Sequence, residues 1–234
     1  MQERYLGDVH DFLKYALLRH CAAMLGNAVG LNWYLTHQDA VDPAGNGDGR
    51  QRRYRDDPSW AGTDDDLRAG LAKFDGGPLA AFETGGVLPA GTLFFGEPVP
   101  CGDRSIWHSR ALAALAGAGL VFLDPDNGFA VPSATRRRLP KYARYEEAAA
   151  YLDRGQALLA VQFARQCDVT ARARASRAAL LAAAREAAPL PVLRCRVSPT
   201  ILIVGAAPPS VAEAVQAAMI GFAGRNVARL SLID

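Results

Sequence analysis

Strands alternating with helices along almost the whole chain place this protein in the α/β class, as a three-layer sandwich with a mostly parallel central sheet of Rossmann-like type. Two observations carry that expectation. Short apolar runs recur between segments of helical period, and several of these runs stop at a carboxylate or amide. The 234 residues, 50% of them hydrophobic, supply one large core, and no linker or composition shift divides them, so residues 1–234 read as a single domain.

Residues 8 to 25 carry Val9, Phe12, Leu13, Ala16, Leu17, Leu18 and Met24 close to a helical period, with Asp8 or Asp11 placed to cap the start. Val29 to Leu35 reads as a buried strand that feeds a polar loop from Thr36 to about Gly49. The acids after Asp56 cap a helix running to Phe74. Leu79 to Phe82 and Thr92 to Phe95 read as short strands that run into Glu83 and Glu97. Ile106 to Ala118 is helical, and Leu120 to Leu123 is an apolar strand that stops at Asp124-Pro125-Asp126-Asn127-Gly128. Tyr145 to Arg154 is a helix, Ala157 to Gln162 a buried strand and Ala171 to Ala187 an alanine-rich helix. Strands at Val192 to Val197 and Thr200 to Gly205, a helix from about Ser210 to Phe222 and a strand near Ala228 to Ile233 complete the order. Ligands of such sheets bind beyond the carboxyl ends of the strands, where this reading puts Thr36, Glu83, Glu97, Asp124 and Gln162.

Charge narrows the possible partners. With 26 basic and 24 acidic residues the net charge is +2, too balanced for a general polyanion binder, so a nucleic-acid role must rest on a local patch. Arg136, Arg137, Arg138, Lys141 and Arg144 form one beside the Asp-Pro motif with no acid among them, suited to RNA or DNA phosphates or to a small anionic substrate. The cysteines, Cys21, Cys101, Cys167 and Cys195, are widely spaced and the histidines form no ligand pattern, so no metal site is expected. Free thiols, the absence of an apolar leader-like run and apolar stretches far too short for a membrane span imply a cytoplasmic protein. There is no G-x-S-x-G elbow and no Walker loop, which disfavours α/β-hydrolase and P-loop chemistry.

Proline fixes its own φ and pushes the preceding residue toward extended geometry, so Asp124 is held rigidly at the end of its strand. The order of the motifs resembles the bacterial 23S ribosomal RNA adenine-N6 methyltransferases, class I S-adenosylmethionine enzymes. The similarity is carried by Gly7-Asp-Val-His-Asp11-Phe-Leu-Lys14-Tyr15, by Thr36-His37 with Ala44 to Arg50, by Phe82-Glu83, by Phe122-Leu-Asp124-Pro125-Asp126-Asn127, and by Leu202-Ile-Val ahead of Pro208-Pro209. It covers most of the chain at low identity and marks a divergent branch with an Asp-Pro-Asp-Asn-Gly signature.

The resemblance implies S-adenosylmethionine as cofactor, held by the glycine loop at Gly47 and Gly49, by Glu83 on the ribose hydroxyls and by Lys14 on the methionine carboxylate, with Thr36 and Glu97 lining the cleft. It also implies that Asp124 and the carbonyl of Pro125 accept hydrogen bonds from the acceptor amine. The family's second proline and aromatic are Asp126 and Asn127 here, so Asn127 is placed with the catalytic group, and Asp126, Phe129, Arg136, Arg138 and Lys141 face the acceptor. Two other readings stand beside this one. Asp124, Asp126 and Glu97 would suit Mg²⁺ in a hydrolase or nuclease, and the altered motif would suit a non-catalytic descendant that binds a nucleotide or a partner.

Overall fold

Asp8 starts the first helix of the computed structural model, which describes residues 1–37 and 51–234. Its side chain accepts hydrogen bonds from the amides of His10 and Asp11, and helix α1 (Val9–Leu25) then runs to Gly26, whose φ of 65° closes it in the left-handed region. Strand β1 (Val29–Asn32) follows. Beyond the undescribed stretch come α2 (Asp65–Leu71), α3 (Leu79–Thr84), β2 (Leu93–Phe95), α4 (Ser105–Ala114) and β3 (Leu120–Leu123). The second half adds α5 (Tyr145–Leu152), β4 (Ala157–Phe163), α6 (Val169–Ala183), β5 (Ala188–Pro189), β6 (Val192–Cys195), β7 (Ile201–Ala207), α7 (Pro209–Gly224) and β8 (Leu230–Ile233).

The strands form one sheet in the order β2-β1-β3-β4-β7-β6-β8, with β5 beside β7. Strands β2, β1, β3 and β4 are parallel, with Gly30 opposite both Leu93 and Val121 and with Phe122 opposite Leu159. The sequence predicts a mostly parallel sheet, but the sheet is mixed. Only a short turn joins β6 to β7, which forces an antiparallel return, and β7 pairs antiparallel with β4 and β6 as β8 does with β6.

Alternation along the strands divides the core between the two faces. Leu31, Leu120, Phe122, Leu159 and Val161 pack under α1, α2, α3 and α7. Val121, Leu123, Leu158 and Ala160 pack under α4, α5 and α6. Apolar side chains on both faces are what a strand covered by helices on each side requires.

The stretch Leu79 to Phe82, predicted as a strand, is helix α3. A run of four apolar residues carries no period that separates strand from helix. Here Phe82 turns inward against Tyr15, Trp33 and Phe74, and the helical turn is what delivers it there. The pairings bring the ends of β1, β3, β4 and β6 and the starts of β7 and β8 to a single edge of the sheet.

Candidate functional site

Beyond the ends of β3 and β4 lies a cavity of about 450 Å³, within the range of small-molecule sites. Asp124 forms its floor. The Asp124 amide donates to Asn32 O at 3.0 Å, which continues the ladder one residue past β3. Its carboxylate, buried, accepts from Lys14 Nζ at 2.9 Å on Oδ1 and 2.7 Å on Oδ2. The same ammonium lies 2.7 Å from Asp11 Oδ1, so one cation sits between two carboxylates from different elements. Asp11 is oriented in turn by the Gly7 amide, which donates to its Oδ2 at 2.9 Å.

Charge balance follows from this count. Asp8, Asp11 and Asp124 surround one lysine, so the cluster carries surplus negative charge in a buried place. Burial first, and then Asp8 and Asp124, push the Asp11 carboxyl up to about 7 although Lys14 pulls it down. Lys14 moves upward, because attraction to Asp11 and Asp124 outweighs a desolvation that acts the other way. Burial together with the same acids raises Tyr15 as well.

A second set of contacts fixes the motif loop. The Met1 amine donates to Asp124 O at 2.9 Å and Tyr34 O at 3.0 Å, and lies 2.9 Å from Asp126 Oδ1. Asp126 Oδ2 accepts from Thr36 Oγ1 at 2.9 Å and Gln2 Nε2 at 3.0 Å, with Lys141 Nζ 3.8 Å away. The Asn127 amide donates to Lys141 O at 2.9 Å, while its side chain lines the cavity. Gly128 has a φ of +82°, and a Cβ there would stand 2.6 Å from Gln162 Oε1. That oxygen accepts from the Phe129 amide at 2.8 Å, so the loop is clamped to β4.

The structure brings Lys14, Asp124, Pro125, Asp126, Asn127 and Lys141 together on one cavity. Thr36 joins them as the partner of Asp126. Other predicted site residues lie elsewhere. Phe129 is buried and stacks on Tyr145 with 4.3 Å between ring centroids, so it belongs to the core and not to a substrate face. Glu83 lies in a helix and not at a strand end, with Oε1 accepting from Trp33 Nε1 at 2.7 Å. Glu97 stands two residues past β2 and pairs with Arg110 at 3.2 Å on the surface, away from Asp124 and Asp126. Arg136 and Arg138 are exposed on the loop before Lys141 and do not line the cavity. Gly47 and Gly49 lie outside the described residues.

For the Mg²⁺ reading, the carboxylates of Asp124 and Asp126 are already engaged by ammonium groups. Among the described residues no group of three or more His, Cys, Asp or Glu side chains is arranged to hold a metal ion. Nor, among the described residues, is any helix long and apolar enough to cross a membrane.

Sequence reasoning treated Asp8 and Asp11 as helix caps and passed over His10 and Arg165, all four of which line the cavity. A signal existed for Asp11 and Lys14. Three residues apart, they interrupt the otherwise apolar face that α1 turns toward the core, and buried charges occur in pairs. Compared with known proteins, the chain matches no family model, no curated protein and no solved structure.

Proposed function

We propose that the chain is an S-adenosylmethionine-dependent methyltransferase acting on an amine of a nucleobase or nucleic acid. One observation carries this reading. The two segments with the most specific resemblance, Gly7 to Tyr15 and Asp124 to Asn127, are joined through the Lys14 contact to Asp124 across 110 residues of sequence. They meet at the carboxyl ends of parallel strands, where α/β sheets take their ligands.

The side chains present fit the cofactor's chemistry. A sulfonium, an ammonium, a carboxylate and a ribose diol call for both signs of charge, and the cavity offers Asp8 and Asp11 beside Lys14, Lys141 and Arg165. The strand next to β1 is β2, so the family's glutamate after the second strand corresponds to Glu97 and not to Glu83. Glu97 is exposed, and a diol can replace Arg110 on its carboxylate.

The bound cofactor would supply an electrophilic methyl group. The chain's own residues then position the acceptor. Lys14 fixes the orientation of the Asp124 carboxylate, leaving its remaining lone pairs to accept from the acceptor N–H. The Pro125 carbonyl accepts the second N–H, which aims the nitrogen lone pair at the methyl group. Asn127, whose side chain has no partner among the described residues, meets the ring edge. The methylated amine sheds one proton, and Asp11, poised near neutrality, takes it.

Transfer of a labelled methyl group from S-adenosylmethionine to mixed RNA and DNA oligonucleotides tests the reading. Asp124→Asn is expected to lower the rate by about 100-fold or more, and Asn127→Ala to weaken it with the fold intact. Undiminished transfer in Asp124→Asn, or none by the wild-type chain, contradicts the assignment.

A further inference from the structure

A second cavity, of about 420 Å³, opens on the same sheet edge, beyond β6 and β8. Gln51 lines both cavities, so the two are neighbours. The fold brings three arginines to the second one. Arg196 follows β6 and Arg229 precedes β8, and the Arg196 amide donates to Arg229 O at 2.7 Å, one step beyond the Cys195 and Leu230 pair of the register. Arg53 enters from the segment before α2.

Like charges opposite each other across two strands repel, and the pairing is unfavourable without an anion to share. Arg229 is partly served by Asp57 Oδ2 at 3.4 Å and Ser59 Oγ at 2.9 Å, and its guanidinium lies over the Trp60 ring at 4.9 Å. Arg53 and Arg196 are exposed, and neither has an acidic partner among the described residues. Asp57 is the one acid on this cavity among the described residues, so its wall is cationic while the first cavity is close to balanced.

We infer that the Arg53, Arg196 and Arg229 cavity binds a backbone phosphate of a single-stranded nucleic acid whose neighbouring base enters the Asp124 cavity. Guanidinium forks match phosphate oxygens in a paired geometry, which suits arginine over lysine for this task. Adjacent cavities, one cationic and open, the other with carboxylate and amide acceptors, fit adjacent phosphate and base of one strand. The base assignment rests on the methyltransferase reading; the phosphate site does not.

Fluorescence anisotropy of the full chain with a short mixed-sequence single-stranded RNA tests the inference, on wild type and on Arg53→Ala/Arg196→Ala. Both positions are exposed, so the variant is expected to fold, and Arg53→Lys/Arg196→Lys serves as the charge-preserving control. The alanine variant is expected to bind on the order of tenfold more weakly and to lose about 1.4 from the slope of log affinity against log salt, as two lost phosphate contacts on a single strand require. The lysine control should retain the slope. An unchanged affinity and slope in the alanine variant overturns the inference. So does arginine-dependent thermal stabilisation by inorganic phosphate with no RNA binding, which would assign the cavity to a free phosphate. Titration with S-adenosylhomocysteine separates the two readings: arginine-dependent RNA binding without cofactor binding leaves the phosphate site standing and removes the methyltransferase.

Discussion

Replacing Lys14 by methionine keeps the length of the side chain and deletes the cation that touches both Asp11 and Asp124. Breaking a buried pair leaves uncompensated charge, so Lys14→Met is expected to cost about 3 to 5 kcal/mol by denaturant unfolding. A cost below about 1 kcal/mol would show that the triad does not exist in solution. Asp11 gives a pH signature. Its folded value, about 7, lies above the ordinary carboxylate value of 3.8, so the folded state binds the proton more tightly. Its contribution to stability is therefore full below about pH 4 and is lost as pH rises through about 7. Asp11→Asn is expected to flatten that part of the stability profile; a profile between these limits that the substitution leaves unchanged contradicts the assignment. In the sequence Asp11 reads as a helix cap and both residues as members of a motif, with their three-residue spacing on the apolar face of α1 the one sign that they pair. Their meeting with Asp124 depends on how α1 lies over the sheet, which no local pattern encodes.

At the scale of elements, the clamp between the Asp-Pro loop and β4 is testable through Gly128. Alanine there combines a φ of +82° with a Cβ 2.9 Å from Gln162 Cα, a backbone atom that cannot swing aside. Gly128→Ala is expected to cost about 2 to 3 kcal/mol and to disorder the loop, and a melting temperature equal to wild type argues against the clamp. Most elements were legible. Helix α1 announced itself by period and cap, and β3 and β4 by apolar runs with abrupt polar ends. Helix α3 was not, because its four apolar residues fit either structure and only the packing of Phe82 decides. That one misreading also put Glu83 at a strand end, whereas Glu83 lies within α3 and it is Glu97 that follows the strand paired with β1.

Over the whole molecule, alternation of strands and helices foretold an α/β sandwich, while pairing partners stayed hidden. The antiparallel insertion of β7 between β4 and β6 brings Pro199 and Ile201 into the lining of the first cavity and Arg196 into that of the second. Such placement comes from topology and from a short connection, not from residue type. It makes the sheet edge one continuous surface, with Asp124 toward its centre and the arginines toward the β8 end.

Calorimetric titration with S-adenosylhomocysteine tests the methyltransferase assignment most directly, on wild type and on Glu97→Ala. Saturable binding by the wild-type chain, weakened on the order of tenfold or more when the carboxylate is removed and indifferent to chelator, is the predicted result. No heat of binding in the wild-type chain, or equal binding by Glu97→Ala, contradicts the proposed S-adenosylmethionine site.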